Sequence, residues 1–260
     1  MTDWTSLPLK VLLEDIGEAV VCLNTVVVGL DAVEKGHERP ETLDISWSPA
    51  DRRAAARKSR KFVVEAVLVR VFEAVFNHCQ TISVLPRFGD VTKRWDSNTT
   101  KATKIWAIYQ SVLGDHYLAS SATLVAHWRN RIVHPKSNAK LDGTQKRPLQ
   151  QAEEEIAEKY KGLKVDCLLC HFEEGRPTLK DVSSLIAMAI NLSRLVDEKV
   201  ASTLAKDDLD AWLSKLGFFD QIEKVRSETK PDKIDAAIRR VFKTQAPALL
   251  GGYRKYYTLN

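Results

Sequence analysis

Two arginines, an asparagine and a histidine crowd the end of a mostly apolar stretch of this chain. Arg129, Asn130 and Arg131 follow one another, and His134 comes directly before Pro135. A guanidinium group can hold a phosphate through two parallel hydrogen bonds. An imidazole can take up or release a proton near neutral pH. These residue types are suited to chemistry on a phosphodiester.

The helical period constrains how these side chains can meet. On an ideal helix His127, Asn130 and His134 share one stripe, whereas Arg129 lies about 140° from His134. One straight helix therefore cannot direct Arg129 and His134 at the same atom. Three arrangements stay open: the helix loosens before Pro135, the long arginine wraps round, or two copies face each other in a dimer.

The motif from Arg129 to His134, with the polar Asn130 after the arginine, resembles the signature of HEPN-domain ribonucleases. The resemblance covers residues 7–200 as a helical bundle but only residues 129–134 as a motif. It implies an all-α HEPN-like fold and a homodimer whose composite cleft cleaves RNA by 2′-hydroxyl attack, without metal or cofactor. His134 would act as general base or acid, Arg129 would hold the phosphate, and Asn130 would orient the histidine or the phosphate by hydrogen bonding.

The resemblance also implies a biological setting. Proteins of this kind often act in phage defence or toxin–antitoxin systems, so RNA, including tRNA, and a cognate antitoxin or regulator are the expected partners. The alternatives are a non-catalytic module that binds nucleotide or nucleic acid, an adaptor, or simply a basic helix end that interacts with the helix dipole.

Other cations could extend an RNA-binding surface. The net charge is +5, and positive residues are concentrated in residues 52–61 and 129–147. A solvated helix face is the plainer interpretation of such blocks. The candidate RNA-binding residues are Arg131, Lys136 and His127 beside the motif, and Arg53, Arg57 and Lys61, spaced by four on the second helix. The aromatic, basic tail Tyr253–Tyr257 could stack on bases or dock on a partner.

Two acidic residues of the second helix have different interpretations. Glu73 is expected to pair with Arg70 one turn away. Glu65 is the candidate for orienting Arg129 from across the bundle.

The cysteines give little support for a metal or haem site. Cys167, Cys170 and His171 match a haem-attachment pattern, but they lie in an apolar run that favours two buried thiols. Cys22 and Cys79 are isolated in helical patterns, where a buried free thiol is usual. No signal peptide and no apolar stretch of about 20 residues is apparent, so a cytoplasmic protein is expected.

Periodicity predicts an all-α chain. Hydrophobic residues make up 44% and charged residues 28%, as in soluble globular proteins. The predicted bundle occupies residues 1–204 and a C-terminal helical appendage of unknown role occupies 205–260. The predicted helices are Leu9–Val33, Ser48–Gln80 with Ser48 as cap and an apolar central second half, Thr99–Leu113, His116–Val133, 149–160, Thr178–Leu204, and the short pieces Asp207–Leu216, Phe219–Ser227 and Pro231–Phe242. Residues 83–98 and 136–147 are expected to be loops, and Lys164–Phe172 a helix or a strand.

Overall fold

The computed structural model describes residues 6–203, 214 and 217–245. The described residues are helical with no strand, which confirms the predicted all-α class. The helices are α1 Leu7–Glu34, α2 Arg52–Ser83, α3 Gly89–Thr92, α4 Lys101–Leu113, α5 Tyr117–Val133, α6 Gly143–Gln151, α7 Glu153–Lys159, α8 Val165–Glu174, α9 Leu179–Thr203, α10 Phe218–Glu228 and α11 Ile234–Gln245, with 3-10 turns at Pro86–Phe88 and Pro231–Lys233.

Capping side chains define where the long helices begin. Ser6 accepts a hydrogen bond from the backbone N–H of Leu9 at 3.2 Å and starts α1. Asp51 accepts from the N–H of Ala54 at 3.0 Å and starts α2. The prediction that Ser48 caps this helix was wrong, because the carboxylate three residues later takes that role.

Two predicted loops contain helices. Residues 83–98 include a 3-10 turn and the short α3. Residues 136–147 end in the first turns of α6, which Asp142 and Gln145 cap reciprocally. The run Lys164–Phe172, for which helix and strand were both open, is helical.

The fifth helix lies at the centre of the bundle. Every residue from Tyr117 to Ala126 is buried, and α5 contacts α2, α4, α6 and α9. The second half of α2 is largely buried as predicted, although the Phe62 side chain at its start is 70% exposed. The last turn of α5, which carries the motif, therefore emerges from a fixed core.

The first helix packs along α2 and leaves much apolar surface uncovered. Its segment Pro8–Glu34 is long and apolar enough to cross a membrane by length and composition. The expectation that the chain holds no such stretch was therefore wrong. Core helices and signal sequences pass the same test.

The C-terminal helices have a small core of their own. Phe218 and Ile222 of α10 pack with Ile238 and Phe242 of α11, whereas the main cluster ends at Val200. The predicted boundary near residue 205 falls between the two clusters. The predicted helix 207–216, apart from Ser214, and the tail 253–257 lie outside the described residues.

Candidate functional site

The end of α5 sets the direction of His134. His134 leaves the helix with φ −121° and ψ 91°, while its backbone N–H still donates to the Asn130 carbonyl at 2.9 Å. A following proline disfavours the helical conformation of the residue before it. Of the three arrangements considered, loosening of the helix before Pro135 is the one that the structure shows.

The loosened turn brings the two motif side chains together within one chain. Arg129 Nη1 lies 3.3 Å from His134 Nε2 and 3.5 Å from Asn130 Oδ1. Because a guanidinium group can only donate, this contact requires an unprotonated Nε2 on His134. The Arg129 side chain is 19% exposed and His134 is exposed, so the pair is open to a ligand at the surface.

The second helix places an acid and an aromatic ring behind Arg129. Arg129 Nη2 lies 3.7 Å from Glu73 Oε1, and its Cζ lies 5.3 Å from the centre of the Phe72 ring. Lys101 Nζ, at the start of α4, lies 3.4 Å from Glu73 Oε2. The carboxylate thus lies beside two cations.

The predicted pairing of Glu73 with Arg70 was wrong. Arg70 reaches across to Asp15 of α1 at 2.7 Å, which frees Glu73 for the motif. Glu65, the candidate for orienting Arg129, lies 3.6 Å from Lys61 on its own helix. Glu73 is the carboxylate beside Arg129.

Arg131 makes contacts inside the protein. Its Nε donates to the Ala139 carbonyl at 2.7 Å, and its Nη1 donates to the Phe172 carbonyl at 2.7 Å. Its Nη2 pairs with Glu173 at 3.1 Å, and its Cζ lies 4.0 Å from the centre of the Phe172 ring. These contacts hold the loop after α5 against the end of α8 and favour a structural role over phosphate binding.

The other two candidates beside the motif differ in exposure. His127 is half-buried on the side facing α6, next to Gln145. Burial lowers the pKa of His127, an effect that nearby Gln145 partly opposes and Arg131 reinforces. Lys136 is exposed on the loop after Pro135.

The basic block at the start of α2 lies far from the motif within one chain. At 1.5 Å per residue, Lys61 is about 18 Å and Arg53 about 30 Å along the helix from Glu73. Arg57 lies 3.6 Å from Glu34 at the end of α1, while Arg53 is exposed. The structure therefore does not bring these three cations to the Arg129–His134 pair.

The cysteine predictions were partly wrong. Cys167 and Cys170 are exposed instead of buried, and so is Cys22, whereas Cys79 is buried as expected. His171 Nδ1 lies 2.9 Å from Asp181 at the start of α9. Within the described part of the chain, no group of three or more potential ligands could hold a metal ion.

Sequence reasoning missed Phe72 and Lys101. Phe72 belongs to the apolar pattern of α2, and nothing local distinguishes it from the rest of the core. Lys101 reaches the site because α4 packs against α2. Neither role has a signal in the spacing of residues.

Comparison of the chain with family models, curated proteins and solved structures finds no match in any of the three.

Proposed function

We propose that this protein is an endoribonuclease that cleaves RNA by attack of a 2′-hydroxyl on the adjacent phosphate, without a metal ion. The observation that supports it best is the 3.3 Å contact between Arg129 Nη1 and His134 Nε2 beside exposed surface. The HEPN resemblance of the same residues gives the reaction class. We propose that the protein cleaves RNA in the cytoplasm, as part of phage defence or of a toxin–antitoxin system. Its proposed protein partner is an antitoxin or regulator.

The proposed roles follow from the chemistry of each group. When RNA binds, Arg129 turns from His134 Nε2 to the phosphate and frees the nitrogen lone pair. The unprotonated Nε2 then accepts the proton of the 2′-hydroxyl, whose oxygen bonds to phosphorus. The bond from phosphorus to the 5′-oxygen breaks, and the product carries a 2′,3′-cyclic phosphate. Arg129 binds the phosphate and stabilises the extra negative charge of the transition state, while Asn130 helps to hold the guanidinium.

A homodimer completes the proposal. Departure of the 5′-oxygen needs a proton, and the described motif offers one histidine per chain. Two apposed copies would supply a second histidine as general acid. The pair already meets within one chain, so the dimer is proposed for the proton balance and is not required to assemble Arg129 with His134.

The test is cleavage of total RNA and tRNA by the purified protein in EDTA. Wild type is compared with Arg129→Ala and His134→Ala, with Lys136→Ala as an exposed neighbour. We expect cyclic-phosphate ends from wild type, and a loss of at least about a hundredfold in both motif variants at unchanged circular dichroism. Equal cleavage by wild type and His134→Ala would refute the proposed role of the histidine.

A second candidate is nucleic-acid binding without cleavage. It is favoured by the single histidine of the motif, which leaves the departing 5′-oxygen without a proton donor in one chain. This candidate predicts salt-sensitive RNA binding that Arg129→Ala weakens, with no product from any variant.

A further inference from the structure

A second cation stands beside the Arg129–His134 pair and is held in place by the same carboxylate. Lys101 Nζ lies 3.4 Å from Glu73 Oε2, and Arg129 Nη2 lies 3.7 Å from Glu73 Oε1. One carboxylate cannot neutralise two cations. The three side chains therefore carry a net positive charge at the surface.

Aromatic rings contact both cations without neutralising their charge. Lys101 Nζ lies 4.6 Å from the centre of the Phe76 ring and 5.3 Å from that of Phe72. Arg129 Cζ lies 5.3 Å from the Phe72 centre. A ring face attracts a cation but accepts no strong hydrogen bond. The ammonium donors that do not face Glu73 stay available to an anion.

The position of Lys101 in α4 adds to this potential. Lys101 is the first residue of a helix of 13 residues, where backbone N–H groups and the helix dipole contribute further positive charge. A lysine at this end gains nothing from the dipole, so a stabilising role within the helix does not account for it. Its side chain is 44% exposed and can meet a ligand.

We propose that Lys101 binds a backbone phosphate next to the scissile one, so that the site takes an RNA strand with at least two consecutive phosphates. This inference rests on the proposed function, in which Arg129 holds the scissile phosphate. Glu73 is the positioning residue that keeps the two cations apart and directed outwards. An ammonium group on a phosphate gives affinity without sequence preference.

The experiment measures binding of a short 2′-O-methyl oligouridine, which cannot be cleaved, over a series of salt concentrations. Lys101→Met removes the charge and keeps most of the aliphatic chain, and Lys101→Arg keeps the charge. Lys159→Ala is the matched control, because Lys159 also pairs with a glutamate, at 2.7 Å, beside the far end of α5.

We expect Lys101→Met to weaken binding about fivefold to tenfold at low salt, and to reduce the slope of log affinity against log salt by about 0.7, the value for one phosphate on a single strand. Lys101→Arg should restore the slope, and Lys159→Ala should leave it unchanged. An unchanged slope in a folded Lys101→Met would overturn the inference.

Cleavage assays separate this inference from the proposed function. On cleavable RNA, Lys101→Met should raise KM, whereas Arg129→Ala should lower kcat. If neither wild type nor any variant cleaves RNA, but the salt slope of binding is still smaller in Lys101→Met, then the phosphate subsite is supported and the ribonuclease proposal fails. If wild type cleaves and the slope is unchanged, the ribonuclease stands and the subsite fails.

Discussion

At the scale of single residues, neighbouring arginines of one motif have different surroundings. Arg129 faces the surface beside His134, whereas Arg131 ties the Ala139 and Phe172 carbonyls together. Both have the same charge and lie two positions apart. Their opposite directions follow from the helical period, because residues two positions apart on a helix are separated by about 200° around its axis.

Arg131→Lys distinguishes a structural arginine from a phosphate ligand. A lysine keeps the charge but cannot reach both carbonyls at once or stack a planar group 4.0 Å from the Phe172 ring. We expect the free energy of unfolding to fall by roughly 2 kcal/mol. The affinity for RNA at low salt should not change, whereas a phosphate ligand would lose the two parallel hydrogen bonds that only arginine makes. Urea denaturation and the binding series measure the two quantities.

Lys136→Arg, an exchange at an exposed position, is the control for this substitution. A stable Arg131→Lys protein that binds RNA more weakly than wild type would contradict the structural role and return Arg131 to the RNA-binding surface.

At the scale of elements, the direction of His134 depends on where α5 ends. Replacing Pro135 by alanine removes the restriction on His134, which can then continue the helix and turn about 140° away from Arg129. We expect the single-turnover cleavage rate of Pro135→Ala to fall between about tenfold and a hundredfold. The free energy of unfolding should change by less than about 0.5 kcal/mol, because Pro135 is exposed.

Pro49→Ala, in the loop before α2, is the matched control and should cleave at the wild-type rate. Full activity in Pro135→Ala would show that the loosened turn is not what brings the pair together.

The same helix ends show what sequence could and could not predict. Apolar spacing predicted α5 within one residue at its start, and the end at Val133 followed from Pro135. The start of α6 was missed because residues 136–147 are polar and basic, although Asp142 and Gln145 carry a capping-box signal. The predicted helix 149–160 is divided between the end of α6 and α7. Local spacing cannot reveal that α4 brings Lys101 to Glu73, since that contact depends on packing between helices far apart in sequence.

At the scale of the whole molecule, the core contains a histidine that links the bundle to pH. His78 of α2 is buried, and its Nδ1 lies 3.1 Å from the Tyr109 hydroxyl of α4. That hydroxyl donates to the Val75 carbonyl at 3.1 Å, so it accepts from a neutral His78. Burial lowers the pKa of His78 from 6.5 to about 4.

This shift predicts loss of stability in mild acid. Between pH 6.5 and about 4 the unfolded chain binds a proton on His78 that the folded chain does not. The buried neutral His78 therefore contributes its full stability above pH 6.5, the pKa in the unfolded chain. This contribution is lost as the pH falls towards about 4, the pKa in the folded chain. The free energy of unfolding should fall by roughly 3 kcal/mol over that range from this residue alone.

Urea unfolding of wild type and His78→Phe across that range isolates the contribution, because other titrating groups are common to both proteins. The difference in free energy of unfolding between wild type and His78→Phe should shrink as the pH falls, because phenylalanine cannot bind the proton. His37→Gln, in the exposed loop after α1, is the control that removes a histidine outside the core. Parallel curves for wild type and His78→Phe would mean that water reaches the imidazole in solution and that α2 and α4 are less tightly closed around Tyr109 than their contacts indicate.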